Sequence, residues 1–281
     1  MLDTQFDKIY VVWGGDPARK EYIQDHFNQC NIDNYKFVDS ITPDNFFIKK
    51  DPKFKNLQKE SIVDGPYLSR FKFLREEWIL YKCKRQGRNI PMSLAEVCCA
   101  YGHLKAYKTA IRDGAKKFLV VEDDIYFDID LCDNALEWKE YIPDNWDIIH
   151  FHSWRPFDSK REPEFANKRI QINDYFYTGY KEYAGAVCCA LTENIAKQLL
   201  SRFYPIQVAA DGVTASLTGT VFARKYYNAY VFSPFLCKQT MFESLIDEEE
   251  ATTSSYTTRS QRYGMGNKKH GDGEVFDPTV L

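Results

Sequence analysis

The segment KFLVVEDDIYF, Lys117–Phe127, decides the fold. Its apolar run, Phe118–Val121, is rich in β-branched residues and predicts a buried strand. The strand ends in three carboxylates, Glu122, Asp123 and Asp124. Because alternate side chains of an extended chain share a face, we expect Glu122 and Asp124 to point together into the crevice where α/β sheets bind ligands.

Paired carboxylates at the end of a strand suit a hard divalent cation. Mg²⁺ and Mn²⁺ prefer carboxylate oxygens, and water and substrate phosphates commonly complete their coordination. Acids in the same place can instead cap the turn or helix that follows the strand. From these three residues alone, both interpretations stay open.

Length and composition set the class of the protein. The chain has 281 residues, of which 44% are hydrophobic, enough to bury the core of one large domain or two small ones. A net charge of −3 gives no electrostatic reason to expect nucleic acid as a partner. Eight cysteines without metal-finger spacing are typical of buried free thiols in a reducing compartment.

Targeting signals are not evident in the sequence. No apolar run approaches the ~18 residues of a membrane span. The start of the chain carries acids and lacks a basic region followed by an apolar segment, so we predict no signal peptide. We therefore expect a cytoplasmic protein. A peripheral position on a membrane is compatible with this expectation.

The sequence before the acidic strand predicts a βα opening. KIYVVW, Lys8–Trp13, is typical of a strand, and the Gly14–Gly15 turn has neither dinucleotide-binding nor P-loop spacing. Arg19 lies near the start of the next helix. Two interpretations are open, that it reaches a phosphate or that it is a solvated charge on the helix surface. Asp39 follows a short second strand, where an acid can hold a ribose or base or act as a cap.

The domain organisation follows from changes in composition. Residues 1–245 are predicted to form a single domain. An inserted loop and helix are predicted at 42–90, where lysines, prolines and aromatics interrupt the alternation of strands and helices. Residues 246–281 are polar and glycine-rich, and we expect a poorly ordered tail there.

The clearest predicted helix is Ser93–Asp113, which leads into the acidic strand. Ser93 and Glu96 fit a capping box. In one interpretation, the only role of Glu96 is to accept a hydrogen bond at the start of the helix. Glu96 and His103 also lie seven residues apart, on one face, where they can face a site. A lone histidine there is more often a hydrogen-bonded core residue, and both interpretations remain open.

The later part of the chain continues the α/β pattern. His150 and His152 share a strand face, but no third ligand is adjacent, and packing is the favoured interpretation. Asp211 lies in a loop after a predicted helix, either facing a cleft or forming part of a turn. The predicted strands here are Asp147–His152, Ala184–Leu191 and Tyr226–Phe232.

Five segments in order resemble glycosyltransferase family 25, which includes lipooligosaccharide and collagen galactosyltransferases. The resemblance covers most of residues 7–245. Its departures are Ala95 for the glycine before Glu96, Gly102 for the serine before His103, and Val11–Trp13 in the first strand. The segments that carry it are SLAEVCCAYGH (Ser93–His103), FLVVEDDI (Phe118–Ile125), YAGAVCCALTENIAKQLL (Tyr183–Leu200), Asp211 and SPFLCKQ (Ser233–Gln239).

The resemblance implies a fold, a donor and a cofactor. It implies a GT-A-like nucleotide-sugar-binding fold of class α/β, with a mixed central sheet flanked by helices. It implies a UDP-sugar donor, with galactose first and glucose second, and Mn²⁺ or Mg²⁺ as cofactor. Asp124, helped by Glu122, would hold the metal. The residues that would bind the donor are Trp13, Arg19, Asp39, Glu122 and Asp123.

The resemblance also implies inversion at the anomeric carbon. A carboxylate base would take the proton of an acceptor hydroxyl, on a glycan or a glycosylated protein. Asp211 is the first choice for this base and Glu96 the second, while His103 would orient a partner or the sugar. His270, near the end of the chain, is a further candidate metal ligand, but no motif supports it.

Two other functions stay open at this point. The first is an inactive family member that binds a glycan or a protein through the same cleft. The departures from the family pattern at Ala95 and Gly102 are compatible with this function. A metal-dependent phosphohydrolase could use the carboxylate strand end, although the chain lacks the additional acid or histidine clusters that such sites need.

Overall fold

A computed structural model describes residues 2, 5–40, 94–152, 170–178, 186–203, 210, 212–214 and 227–240, with the backbone alone at 94–97 and 202–203. The predicted insert and the predicted tail lie outside these ranges, as do Asp211 and His270. The division into one domain and a tail therefore stays a prediction.

Ten strands and five α-helices with defined bounds lie within the described residues, and residues 210 and 212–214 are also helical. The strands are β1 (Lys8–Trp13), β2 (Tyr35–Asp39), β3 (Lys117–Glu122), β4 (Ile125–Phe127), β5 (Ile148–His150), β6 (Ile170–Gln171), β7 (Phe176–Thr178), β8 (Cys188–Thr192), β9 (Ala229–Phe232) and β10 (Cys237–Gln239). The helices are α1 (Pro17–Gln29), α2 (Leu94–Arg112), α3 (Ile129–Asp133), α4 (Ala135–Trp138) and α5 (Glu193–Phe203), with a 3₁₀ turn at Lys139–Tyr141.

Local signals explain where α1 begins and where α2 ends. Asp16 caps α1 by accepting a hydrogen bond from the Ala18 amide at 2.9 Å, and Pro17 occupies the first helical position. Helix α2 ends at Arg112, and Gly114 follows with a φ of +83°, a left-handed conformation that favours glycine. The chain then turns directly into β3.

Eight strands form one mixed sheet in the order β2-β1-β3-β8-β5-β9-β7-β6. Strands β2, β1 and β3 are parallel, and β8 runs antiparallel to both of its neighbours, β3 and β5. Strand β9 is parallel to β5, whereas β7 is antiparallel to β9 and β6 to β7. The predicted α/β class, with a mixed central sheet flanked by helices, is confirmed.

Strand alternation divides the core into two layers. Tyr10 and Val12 of β1 face the layer that contains α2 and α5. Ile9 and Val11 face the layer that contains α1, α3 and α4. Because both faces of the central strands are buried, these strands are almost uniformly apolar, as the sequence pattern predicted.

The parallel strands bring one set of chain ends to the same edge of the sheet. Trp13 at the end of β1 is paired with Asp39 at the end of β2, and Val12 is paired with Glu122 at the end of β3. Beyond Glu122 the chain turns into β4, which pairs antiparallel with β10 in a separate two-stranded sheet. The acidic turn is therefore held between the two sheets.

The sequence pattern missed the short strands. Strands β4, β6, β7 and β10 have two or three residues each, too few to establish an alternating pattern. The predicted strand Asp147–His152 is shorter in the structure, where it is Ile148–His150. Within the part of the chain that the structure describes, no helix combines the length and the apolar character needed to cross a membrane.

Candidate functional site

Asp123 joins the acidic turn to the start of α1. Its Oδ2 accepts a hydrogen bond from the Gly14 amide at 2.8 Å, and its Oδ1 accepts one from Arg19 Nη1 at 3.0 Å. Both Asp123 and Arg19 are buried. Burial raises the pKa of Asp123, and this effect outweighs the hydrogen bond from Gly14 and the charge of Arg19, which lower it.

Asp124 is held by the last residue of β10 and by the residue that follows it. Its Oδ2 accepts a hydrogen bond from Gln239 Nε2 at 2.7 Å and lies 3.7 Å from Arg19 Nη1, while its backbone oxygen accepts from the Thr240 amide at 2.7 Å. Its Oδ1 is buried and has no hydrogen-bond partner among the described residues. The orphaned oxygen is unusual because buried polar atoms are almost always paired.

The environment of Asp124 opposes its ionisation. Burial raises its pKa to about 7, helped by the negative charges of Glu122 and Asp123, while the hydrogen bond from Gln239 and the charge of Arg19 act in the opposite direction. A bound cation would reverse this balance, because it favours the ionised carboxylate.

Glu122 has different partners from those of its two acidic neighbours. Its Oε1 lies 3.1 Å from His103 Nε2 and 3.7 Å from Cys99 Sγ, both on α2. The expectation that Glu122 and Asp124 share a face assumed an extended chain, but β3 ends at Glu122 and residues 123–124 form a turn. Glu122 therefore contacts α2, whereas Asp124 contacts β10.

Gly102 allows α2 to pack closely against the end of β1. A Cβ atom at this position would lie 2.5 Å from Ser40 Oγ and 2.6 Å from Val12 Cγ1, far inside normal contact distance. The Ser40 hydroxyl occupies this space and donates a hydrogen bond to the Cys98 carbonyl at 3.0 Å. A side chain in place of the glycine that departs from the family pattern would therefore displace Ser40 or Val12.

A lysine of α1 lies over two aromatic rings of β1 and β2. Lys20 Nζ lies 4.8 Å from the centre of the Trp13 ring and 5.0 Å from that of Phe37, within the range of cation–π attraction. Trp13 Nε1 donates to the Asp16 carbonyl at 2.8 Å. Asp39 is exposed, and its backbone oxygen accepts from Lys105 Nζ at 2.5 Å.

Seven of the nine site residues predicted from the sequence have described side chains, and all seven lie on elements that meet at one edge of the sheet: Trp13, Arg19, Asp39, His103, Glu122, Asp123 and Asp124. Asp211 lies outside the described residues, and for Glu96 only the backbone is described. The sequence prediction missed Gln239, Thr240 and Cys99 as members of the site. The family-like segment Ser233–Gln239 could have indicated Gln239 as a site residue. It could not have indicated that Gln239 bonds to Asp124.

A model of glycosyltransferase family 25, described as an LPS biosynthesis protein family, matches residues 8–214. The chain belongs to glycosyltransferase family 25. The resemblance carried by the sequence segments is thus confirmed, and the mixed sheet is the arrangement expected of a GT-A-like family 25 member. No curated protein sequence matches the chain significantly.

Solved structures that align with this family 25 chain share little of its sequence. A glycosyltransferase involved in the glycosylation of the major capsid of PBCV-1 is 11% identical, with a TM-score of 0.38 over 87% of this chain and 98% of that one. A UDP-glucose pyrophosphorylase complexed with UDP-glucose is also 11% identical, with a TM-score of 0.39 and the same coverage. Because both TM-scores lie below 0.5, neither likeness bears on what this chain binds.

Proposed function

We propose that this family 25 member is an inverting, metal-assisted hexosyltransferase. It transfers galactose, or otherwise glucose, from a UDP-sugar to a hydroxyl of a glycan or of a protein-linked glycan. Membership of the family supports sugar transfer. The observation that carries the metal-dependent form of the proposal is the buried, orphaned Oδ1 of Asp124, at the sheet edge where α/β folds bind ligands.

The residues around Asp124 fit a hard divalent cation. Asp124 and the two residues hydrogen-bonded to it each carry a buried side-chain oxygen without a hydrogen-bond partner among the described residues: Asp124 Oδ1, Gln239 Oε1 and Thr240 Oγ1. An all-oxygen set with at least one carboxylate is the donor chemistry that Mn²⁺ and Mg²⁺ prefer. Asp124 would hold the ion, and Glu122 and Asp123 would add negative charge nearby. When bound, the ion would neutralise charge that develops on the departing diphosphate.

The same edge of the sheet provides groups for the rest of the donor. We assign Trp13 and Asp39, at the ends of β1 and β2, to the nucleoside. An aromatic ring can stack on a base and a carboxylate can accept hydrogen bonds from a ribose. Arg19 and Asp123 belong to the diphosphate side, where the buried Arg19 guanidinium offsets the charge of the acidic turn.

The transfer itself needs a base on the acceptor side. The acceptor oxygen attacks the anomeric carbon from the face opposite UDP, the bond to UDP breaks with its electron pair, and a carboxylate takes the hydroxyl proton. Asp211 remains our first choice for that carboxylate and Glu96 the second, both on the basis of sequence. His103 contributes by orienting its neighbours, through its contact with Glu122.

A thermal-shift assay tests the proposal without knowledge of the acceptor. The full chain is melted with UDP, GDP and CMP sugars, each with and without Mn²⁺. A ligand that binds only the folded state raises the melting temperature by mass action. We expect stabilisation by UDP-galactose or UDP-glucose that requires Mn²⁺ and is lost in Asp124→Asn. Asp25→Asn, the same change at an exposed acid of α1, should behave like the wild type.

The alternatives give different results in the same assay. Stabilisation by no nucleotide sugar would favour an inactive member that binds a glycan or a protein. Stabilisation by a UDP-sugar that is indifferent to Mn²⁺ would remove the metal from the proposal but keep the donor. Anomeric analysis of the product by NMR would then test inversion.

A further inference from the structure

We propose that Cys99, His103 and Glu122 form a binding site for a thiophilic divalent cation, Zn²⁺ in the first instance, separate from the oxygen-rich site at Asp124. One ligand atom from each residue, Sγ, Nε2 and a carboxylate oxygen, lies within 4.8 Å of the other two. Two of the three separations share a single atom, Glu122 Oε1.

Two of the three separations between these atoms are close to those of a tetrahedral zinc site. Bonds of about 2.0–2.3 Å to nitrogen, oxygen and sulfur place neighbouring ligand atoms roughly 3.3–3.7 Å apart. The distance from His103 Nε2 to Glu122 Oε1 is 3.1 Å, and that from Cys99 Sγ to the same oxygen is 3.7 Å. A cation therefore requires side-chain shifts of tenths of an ångström on this edge of the cluster.

Regular secondary structure holds the three residues in place. Cys99 and His103 lie four residues apart on α2, so their side chains project from the same face of the helix. Glu122 is the last residue of β3, and the packing at Gly102 brings α2 close to that part of the sheet. Ligands on a helix and a strand are positioned more accurately than ligands on loops.

The cluster is buried at His103 and partly exposed at its other two residues. His103 has 1% of its side chain exposed, whereas Glu122 has 21% exposed and Cys99 is partly buried. Three protein ligands with access to solvent match zinc sites in which water or a substrate atom completes the tetrahedron. Binding replaces the thiol proton by the cation, so a proton is released to solvent.

The ligand types separate this site from the one at Asp124. A thiolate and an imidazole favour Zn²⁺ or Co²⁺, whereas an all-oxygen set favours Mg²⁺ or Mn²⁺. At the proposed site, Zn²⁺ would join α2 to the end of β3, immediately before the turn that carries Asp123 and Asp124. The two kinds of ion would therefore occupy adjacent sites without competing for the same ligands.

Titration of the full chain with Co²⁺ tests the inference directly. The protein is stripped with EDTA, kept reduced with a phosphine and titrated with Co²⁺ alone, without nucleotide sugar. Thiolate ligation gives a near-ultraviolet charge-transfer band, and tetrahedral geometry gives intense visible bands. We expect both kinds of band, and we expect stoichiometric Zn²⁺ to abolish them. The outcome does not depend on the proposed transfer reaction.

Variants assign the ligands. Cys99→Ser should remove the charge-transfer band, and Glu122→Gln should weaken Co²⁺ binding by more than the roughly 10- to 100-fold typical of a change outside the ligand set. Cys98→Ala is the matched control, because Cys98 is the neighbouring cysteine and faces the core. Circular dichroism confirms that each variant is folded.

Two results would overturn the inference. One is the absence of a charge-transfer band in the wild-type protein at saturating Co²⁺, which requires no variant to fold. The other is a band that persists in folded Cys99→Ser, or that disappears in folded Cys98→Ala, since either would place the thiolate elsewhere.

Discussion

Replacing Asp124 by asparagine should stabilise the folded protein when no metal is bound. The carboxylate is buried, and its pKa is raised to about 7. An amide of the same shape removes the charge and keeps an acceptor for Gln239 Nε2. Its NH₂ group can also donate to Gln239 Oε1, which has no partner among the described residues. We therefore expect the substitution to remove the cost of the buried charge and to keep the hydrogen bond from Gln239.

The magnitude follows from the two pKa values. A carboxylate that titrates at about 7 when folded and at 3.8 when unfolded loses about 4 kcal/mol of stability at pH 8, at 1.36 kcal/mol for each pH unit between the two values. This figure is an upper limit, because the surroundings of the ionised group relax. We expect Asp124→Asn to gain about 1–3 kcal/mol at pH 8.

The gain should depend on pH in one direction. Between pH 7 and pH 4 the folded wild-type protein binds a proton that the unfolded chain does not, so the wild-type protein becomes more stable as pH falls. The advantage of Asp124→Asn should therefore be complete above pH 7 and vanish towards pH 4. Added Mn²⁺ should reverse the order at pH 8, since only the wild-type carboxylate binds it.

Urea unfolding in EDTA at pH 8, 6 and 4 measures these differences, with Asp25→Asn as the control. The control should stay within about 0.5 kcal/mol of the wild type, as is usual for an exposed residue. An Asp124→Asn protein that is less stable than the wild type at pH 8, or that differs by the same amount at every pH, would refute the electrostatic reasoning.

Three further predictions concern the packing and the charges of buried residues. Gly102→Ala should cost about 1–3 kcal/mol in urea unfolding, because the new Cβ would meet Ser40 Oγ; a loss below 0.5 kcal/mol would mean that α2 is less closely packed than described. Arg19→Met should cost about 3–5 kcal/mol by leaving the buried Asp123 carboxylate without its cation, and Arg19→Lys should recover part of the loss; equal stability of both variants would contradict this. Burial lowers the pKa of His150 to about 3, so the folded protein should lose about 2 kcal/mol between pH 8 and pH 5 relative to His150→Met, as the unfolded imidazole takes up a proton near pH 6.5; parallel pH profiles of the two proteins would exclude that contribution.

The sequence was informative where the chain has long, regular segments. The apolar run of β3 and the periodicity of α2 predicted both elements, and the three acids were correctly placed at the end of a strand. The partners of those acids were not predictable. Asp124 Oδ2 bonds to Gln239, 115 residues later in the chain, through a pairing of strands β4 and β10 that have only three residues each.

The contacts of Glu122 show a second limit of sequence analysis. Alternation along an extended chain places Glu122 with Asp124, but this rule holds only while the strand continues, and β3 ends at Glu122. A carboxylate, a thiol and an imidazole then meet because Gly102 lets the helix approach the sheet. A glycine in a helical pattern gives no indication of what fills the space beside it.

The small sheet formed by β4 and β10 has a consequence for shortening the chain. The family match ends at residue 214, but β9 and β10 lie beyond it, and β9 occupies a position between β5 and β7 in the main sheet. A protein cut at residue 214 would leave β5 with an unpaired edge and Asp124 without Gln239. During synthesis the acidic turn likewise cannot reach its final arrangement until residue 240 has left the ribosome. We therefore expect the smallest unit that keeps this arrangement to extend beyond the region matched by the family model.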